Sequence, residues 1–288
     1  MTNNLKRAVV LGGGGHFGIA WELGYLRGLE EAGLPIREAD IFVGTSAGSQ
    51  ASVIVSSDKD WDLIWKGQIE KEISEITPIS DEKMGELFKT FENIAKNSHS
   101  AKEWIAAEAE ISKKTQPFIS KEERLAMLKE RYGSGQARWN SKLRIVATSI
   151  EDIERQVFDE NSNVDILVAL QASGALQGVW PSVEINGKHF FDGGSFSMEN
   201  PDVFVDADKM LVLSTGLPVD VPYKLEDLLA QLEKKGTETS LVLPSEKTMN
   251  ILKDFNYNMV EAKIRPFVAQ AGREQGQAEA ALIKERWL

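Results

Sequence analysis

The sequence predicts an α/β fold, and three observations carry that prediction. Two short apolar runs, Ala8–Leu11 and Ile41–Val43, each end in glycine and each precede a helical pattern. Strand signals then return after residue 143, beyond a charged helical stretch. With 288 residues, of which 42% are hydrophobic and 27% charged, the chain can bury a substantial core. A single domain over residues 1–288 is expected.

Ala8–Leu11 reads as a buried parallel strand that delivers the chain to a tight turn at Gly12–Gly15. In the helix that follows, Ile19, Leu23, Leu26 and Glu30 step along one stripe, flanked by Ala20, Leu29 and Ala32, until Gly33 and Pro35 stop it. Ile41–Val43 is the second strand, ended by Gly44, and the small apolar residues of Ser49–Val55 suit a helix held tightly against the sheet.

From Trp61 to about residue 130 the chain turns charged and helical, with Trp65, Trp104 and Leu125 expected inward and Pro78 and Pro117 as breaks. This stretch, residues 61–130, reads as a helical insertion or cap. Leu143–Ile150 resumes the sheet, and Gln156–Phe158 can pair with it across Glu151-Asp152. Asn163 is a plausible N-cap for a helix from Val164 to Ala172. Asn186-Gly187 between Val183–Ile185 and His189–Phe191 is a strong hairpin signal. Met210–Leu213 reads as the last buried strand, and residues 225–288 as helical to the end, through Leu252, Ile264 and Leu282.

Charge and composition narrow the partners. Against 44 Asp+Glu there are 33 Lys+Arg, and the formal net charge of −11 repels nucleic-acid backbones and anionic headgroups, so no nucleic-acid partner is expected. With no cysteine there is no disulfide, thiolate metal site or catalytic thiol, which suits a cytoplasmic protein; neither a metal nor a cofactor is expected. No segment reaches the roughly 18 uninterrupted apolar residues of a membrane span, so lipid contact should be at most peripheral. The oligomeric state is left open.

Gly44-Thr45-Ser46-Ala47-Gly48 matches G-x-S-x-G between a predicted strand and a predicted helix. In a nucleophile elbow the flanking Gly44 and Gly48 let neighbouring backbones approach while the turn pushes the Ser46 hydroxyl outward; the plain alternative is a helix start capped by Ser46. Gly12–Gly15 lie at the N-terminus of the first helix, where partial positive charge gathers. Their amides, with a further one from Ala47, can form an oxyanion hole if both turns open at one sheet edge.

The same loop satisfies G-x-G-x-x-G through Gly13, Gly15 and Gly18, which invites a nucleotide-binding reading. That fingerprint wants an acid at the far end of the second strand, whereas Asp40 precedes it. A base for Ser46 has two candidate sources. Ser46, Asp165 and His189 fall in the order of a triad, although helix and hairpin roles explain the last two. Asp192, in Phe191-Asp192-Gly193-Gly194, can instead accept the serine proton directly, or can be no more than an Asp-Gly turn.

The glycine loop, GTSAG and DGG, in this order, resemble the patatin-like phospholipase family, as does the stretch GVWPSVEINGKHFFDGG that leads into Asp192. The resemblance implies a three-layer sandwich with a mostly parallel central sheet flanked by helices, and a carboxylic-ester hydrolase acting on lipid acyl chains. It also implies a Ser46–Asp192 dyad, an oxyanion hole at Gly13, Gly14 and Gly15, and Gly193 and Gly194 as the glycines of the base loop. Many members carry Arg or Lys before the last glycine of the first motif, where this chain has Phe17.

Overall fold

The computed structural model describes residues 5–70, 79–116, 119–132, 137–216, 221 and 224–288. Pro78 and Pro117, expected as helix breaks, lie outside them. In chain order the elements are β1 (Arg7–Leu11), α1 (Gly15–Glu31), β2 (Ile41–Thr45), α2 (Ala47–Val55), α3 (Trp61–Trp65), α4 (Asp81–Asn97), α5 (Ala101–Lys114) and α6 (Lys121–Tyr132). Then come β3 (Leu143–Ser149), β4 (Glu154–Phe158), α7 (Ile166–Ser173), β5 (Val183–Ile185), β6 (Lys188–Asp192) and β7 (Lys209–Leu213). The chain closes with α8 (Leu225–Lys234), β8 (Glu238–Val242), α9 (Glu246–Asp254) and α10 (Arg265–Trp287).

One eight-stranded sheet runs in the order β5-β6-β3-β2-β1-β7-β8, with β4 paired to β3 off that path. The five strands from β3 to β8 along the path are mutually parallel, and β4, β5 and β6 add an antiparallel end. Helices cover both faces because the strands bury alternate residues on each. Val9 and Leu11 of β1 face the core under α1, α2 and α7, while Ala8 and Val10 face Leu229 and Leu232 of α8.

The expectation of helix throughout 225–288 is overturned by β8, which extends the sheet parallel to β7. The run Thr237-Glu-Thr-Ser-Leu-Val, half of it β-branched, lies between Gly236 and Pro244, and α8 is the crossover that brings it alongside β7. Asn163 is likewise not the N-cap of α7. Asp165 caps it, accepting from the Leu167 amide at 2.8 Å, while Asn163 adopts a left-handed turn at φ 52°. On α6 the buried positions are Arg124, Leu128 and Tyr132, and Leu125 is only half-buried.

Helix α1 is buried nearly all round because α10 closes its outer side. The two cross with almost no space between backbones: a Cβ at Gly28 would lie 2.2 Å from the Arg273 carbonyl, and one at Gly276 would lie 2.2 Å from the Tyr25 carbonyl. Trp21 and Tyr25 fix the crossing by donating to Gln275 (3.1 Å) and Glu279 (2.8 Å). The insertion divides in two. Trp61 donates to Glu30 of α1 and Arg27 stacks on Trp65, so α3 belongs to this core, whereas α4 and α5 build a second one around Phe91, Trp104 and Ile105.

Candidate active site

Parallel pairing puts the ends of β1 and β2 side by side, with Leu11 opposite Gly44. Thr45 pairs with Val146 of β3, and on the other side of β3 Asp192 pairs with Ala147. Ser46 and Asp192 therefore flank the same point of one strand. Their side chains meet: the Ser46 hydroxyl donates to Asp192 Oδ2 at 2.7 Å.

The elbow is sterically exacting. Ser46 holds φ 52° and ψ −115°, a conformation costly for a residue with a Cβ, directly before α2. Gly48 donates to the Gly12 carbonyl at 2.8 Å, and any side chain there would begin 1.9 Å from the Leu11 carbonyl. At Gly44 a Cβ would sit 2.5 Å from the backbone of Ser49. The backbone amide of Ser46 donates to Ser173 Oγ at 2.9 Å, which ties the elbow to the end of α7.

The glycine loop crosses beside the elbow with Gly14 at φ 144°. The Gly13 amide is spent inside the fold, on the Met198 carbonyl at 3.0 Å, and its own carbonyl accepts from Thr215 Oγ1 at 2.8 Å. Among the described residues the amides of Gly14, Gly15 and Ala47 have no acceptor, as befits the first residues of α1 and α2. Of the four amides expected to receive an anion, those of Gly13–Gly15 and Ala47, that of Gly13 is thus already engaged.

Asp192 is held on both oxygens, since Oδ1 accepts from the Gly194 amide at 2.8 Å. Gly193 packs against β3, where a Cβ would meet the Val146 carbonyl at 2.3 Å. Burial pushes the Asp192 carboxyl up to about 6, although the Ser46 and Gly194 hydrogen bonds and the charge of Arg124 pull the other way. Asn200, wholly buried, donates to Thr45 Oγ1 at 3.0 Å and to the Gly193 carbonyl at 3.2 Å, and so links the elbow strand to the base loop. Ser173, Thr215 and Asn200 carry no motif, and the sequence gives no sign of their part.

The triad order does not assemble. Asp165 is occupied as the cap of α7, and His189 Nδ1 sits 2.9 Å from Glu151 on the exposed side of the hairpin. The nucleotide-binding acid is also absent from its place: Asp40, at the start of β2, accepts from the Arg7 amide at 2.8 Å. Among the described residues no cluster of His, Asp and Glu could hold a metal ion, and no helix is long and apolar enough to cross a membrane.

Above Ser46 opens a cavity of about 190 Å³. Its floor is Gly14, Gly15, Ser46 and Asp192, and its walls come from the insertion, through Phe88 and Phe91 of α4, Trp104 of α5 and Met127 of α6. Glu108 lies in the wall; burial raises its carboxyl to about 8, and it accepts from Gln177 at 2.6 Å. Phe17 is fully buried in the core and lends the cavity no charge. The guanidinium groups that line it, Arg124 and Arg131, both come from α6.

A serine on a strand–turn–helix elbow, bonded to a buried carboxylate at the edge of a three-layer α/β sandwich, defines the class. More narrowly, the chain belongs to the patatin-like phospholipase family, whose model matches residues 9–205. Members of that family are lipid acyl hydrolases. Among solved structures, the type III effector protein ExoU is 16% identical, aligned over 95% of this chain and 53% of its own, with a TM-score of 0.41. VipD from Legionella pneumophila is 14% identical, aligned over 98% of this chain and 67% of its own, with a TM-score of 0.44. The chain therefore spans about half the length of ExoU. No curated protein matches the sequence.

Proposed function

We propose that this chain hydrolyses carboxylic esters of lipid acyl chains, with Ser46 as nucleophile and Asp192 as its base. The observation that carries the reading is the 2.7 Å bond between the Ser46 hydroxyl and the Asp192 carboxylate on the floor of an apolar cavity. Ser46 Oγ attacks the acyl carbonyl and its proton passes to Asp192 Oδ2. The carbonyl oxygen becomes an alkoxide facing the unspent amides of Gly14, Gly15 and Ala47. As the intermediate collapses, the leaving alcohol takes the proton from Asp192 and the acyl group stays on Ser46. Water then attacks the acyl-enzyme, Asp192 accepts the water's proton, and the same proton returns to Ser46 as the fatty acid leaves.

The raised pKa of Asp192 supports this role, since a carboxylate near 6 is a stronger base than an ordinary one yet stays mostly ionised at neutral pH. The walls contributed by Phe88, Phe91, Trp104 and Met127 suit an alkyl chain, with the insertion as cover. With no cysteine to protect, the chain suits a reducing cytoplasm. The test is a panel of p-nitrophenyl, glycerolipid and phospholipid acyl esters offered to the wild type and to Ser46→Ala. Hydrolysis by the wild type and its loss in the folded variant are expected; equal turnover by both would refute the nucleophile.

A further inference from the structure

We infer that Arg124 is the anion-binding group of this cavity and that it selects acyl lipids bearing a phosphodiester head. The inference deepens the hydrolase reading and rests on it for the identity of the reacting ester. Arg124 stands on α6, in Lys121-Glu-Glu-Arg-Leu, where a cation would ordinarily point to water, yet it is only 9% exposed and lines the cavity with Ser46 and Asp192.

The Asp192 carboxylate attracts the charge of Arg124 without pairing with it. Nη2 donates to the Gly174 carbonyl at 2.7 Å, closing the C-terminus of α7, and the guanidinium stacks on Trp180 at 4.6 Å. Nη1 is buried without any acceptor, and among the described residues no carboxylate lies at ion-pair distance from Arg124. Arg131, on the same wall, is near enough to repel it. Burial brings Arg124 down to about 9, which still leaves it charged at neutral pH. A buried guanidinium group with one donor unspent, beside a second, half-buried one on the same wall, is a costly arrangement, and an oxyanion is the group that relieves it.

The ligand must present that oxyanion beside an acyl ester, because the cavity that holds Arg124 also holds Ser46. A phosphodiester satisfies this with one negative charge on the substrate itself. A formal net charge of −11 disfavours anionic lipid surfaces and favours a zwitterionic head in which that phosphate is balanced by a cation facing solvent. The carboxylate of the released fatty acid has similar chemistry, and the experiment separates the two.

Lauroyl lysophosphatidylcholine and monolauroylglycerol share the ester and differ in the phosphodiester. Their kcat/KM ratio is measured for the wild type, Arg124→Gln and Arg124→Lys at about pH 8, where Asp192 is ionised in all three. The ratio should fall about tenfold or more in Arg124→Gln, chiefly through KM for the phospholipid, and less in Arg124→Lys, which keeps the charge but not the fork. In parallel, dodecylphosphocholine binding is titrated calorimetrically in a Ser46→Ala background, with and without Arg124→Gln. Its Kd should weaken by a similar factor, and this arm decides the role of Arg124 even if no ester is turned over. An equal fall with both esters and an unchanged Kd would assign Arg124 to closing α7 alone and overturn the inference. Laurate inhibition weakened by the substitution while the ester ratio stays constant would assign the site to the product and overturn it as well. If Arg124→Gln does not fold, the ratio and Kd in Arg124→Lys decide, and no change in either overturns the inference.

Discussion

Replacing Asp192 with Asn should cost activity and add stability, and the two effects share one cause. The carboxyl is 4% exposed, and burial raises it from an ordinary 3.8 to about 6. An acid whose folded pKa exceeds its unfolded one destabilises the fold once the unfolded chain ionises. Stability is therefore highest below pH 3.8, falls between 3.8 and about 6, and is level above. A gap of about two units corresponds to roughly 3 kcal/mol at most. Asn keeps an oxygen for the Gly194 amide and a polar group facing Ser46, but has no charge to bury. Asp192→Asn should thus match the wild type in urea unfolding near pH 4 and exceed it at pH 8 by up to about 3 kcal/mol. The same variant should lose about 10²–10⁴-fold in kcat/KM on a short p-nitrophenyl ester, since an amide cannot take the proton. In the wild type, log kcat/KM should climb with unit slope below pH 6 and level off above it. A variant clearly less stable than the wild type at pH 8 would refute the reasoning, because it would mean that the buried carboxylate is net favourable to the fold.

Other outcomes follow from the packing and from the side chains left out of the mechanism. Gly276→Val should destabilise by about 1–3 kcal/mol or more, since its Cβ would begin 2.2 Å from the Tyr25 carbonyl. Gly85→Ala, on an open face of α4 with nothing within 4 Å, should instead gain about 0.5–1 kcal/mol in the same denaturation assay. His189→Ala should retain most of the ester hydrolysis; a loss as deep as that of Asp192→Asn would return the triad to consideration. Hydrogen exchange in α4–α6 should slow when an alkyl phosphonate occupies the cavity, as expected of a cover; unchanged rates throughout those helices would make them plain packing.

What could be read from the sequence was what local sterics leave no freedom to change. The elbow was legible because a strand-to-helix turn with Leu11 and Ser49 against it admits only glycine at 44 and 48. The hairpin was legible because Asn186 and Gly187 take φ 51° and 79°, which few other pairs accept. Proposing Asp192 as the base needed the family resemblance, since Asp-Gly-Gly is equally good turn chemistry. The spent amide of Gly13 was not legible, because its acceptor, the Met198 carbonyl, is brought by a distant loop. Arg124 was missed because charge on a helix of net polar character reads as a solvated face, and only the tertiary structure turns it inward. β8 was missed because five strand residues between two amphipathic helices carry too little periodicity to stand out.

The most direct test of the central claim is to label the folded protein with a fluorophosphonate and map the adduct by peptide mass spectrometry. A phosphonylating reagent needs the activated hydroxyl, the base beside it and the amides that receive its oxygen, so it reads the whole site in one step. A single adduct is expected on Ser46, none in Ser46→Ala, and slowed labelling in Asp192→Asn. Labelling of another residue, or equal rates in the wild type and Asp192→Asn, would contradict the claim.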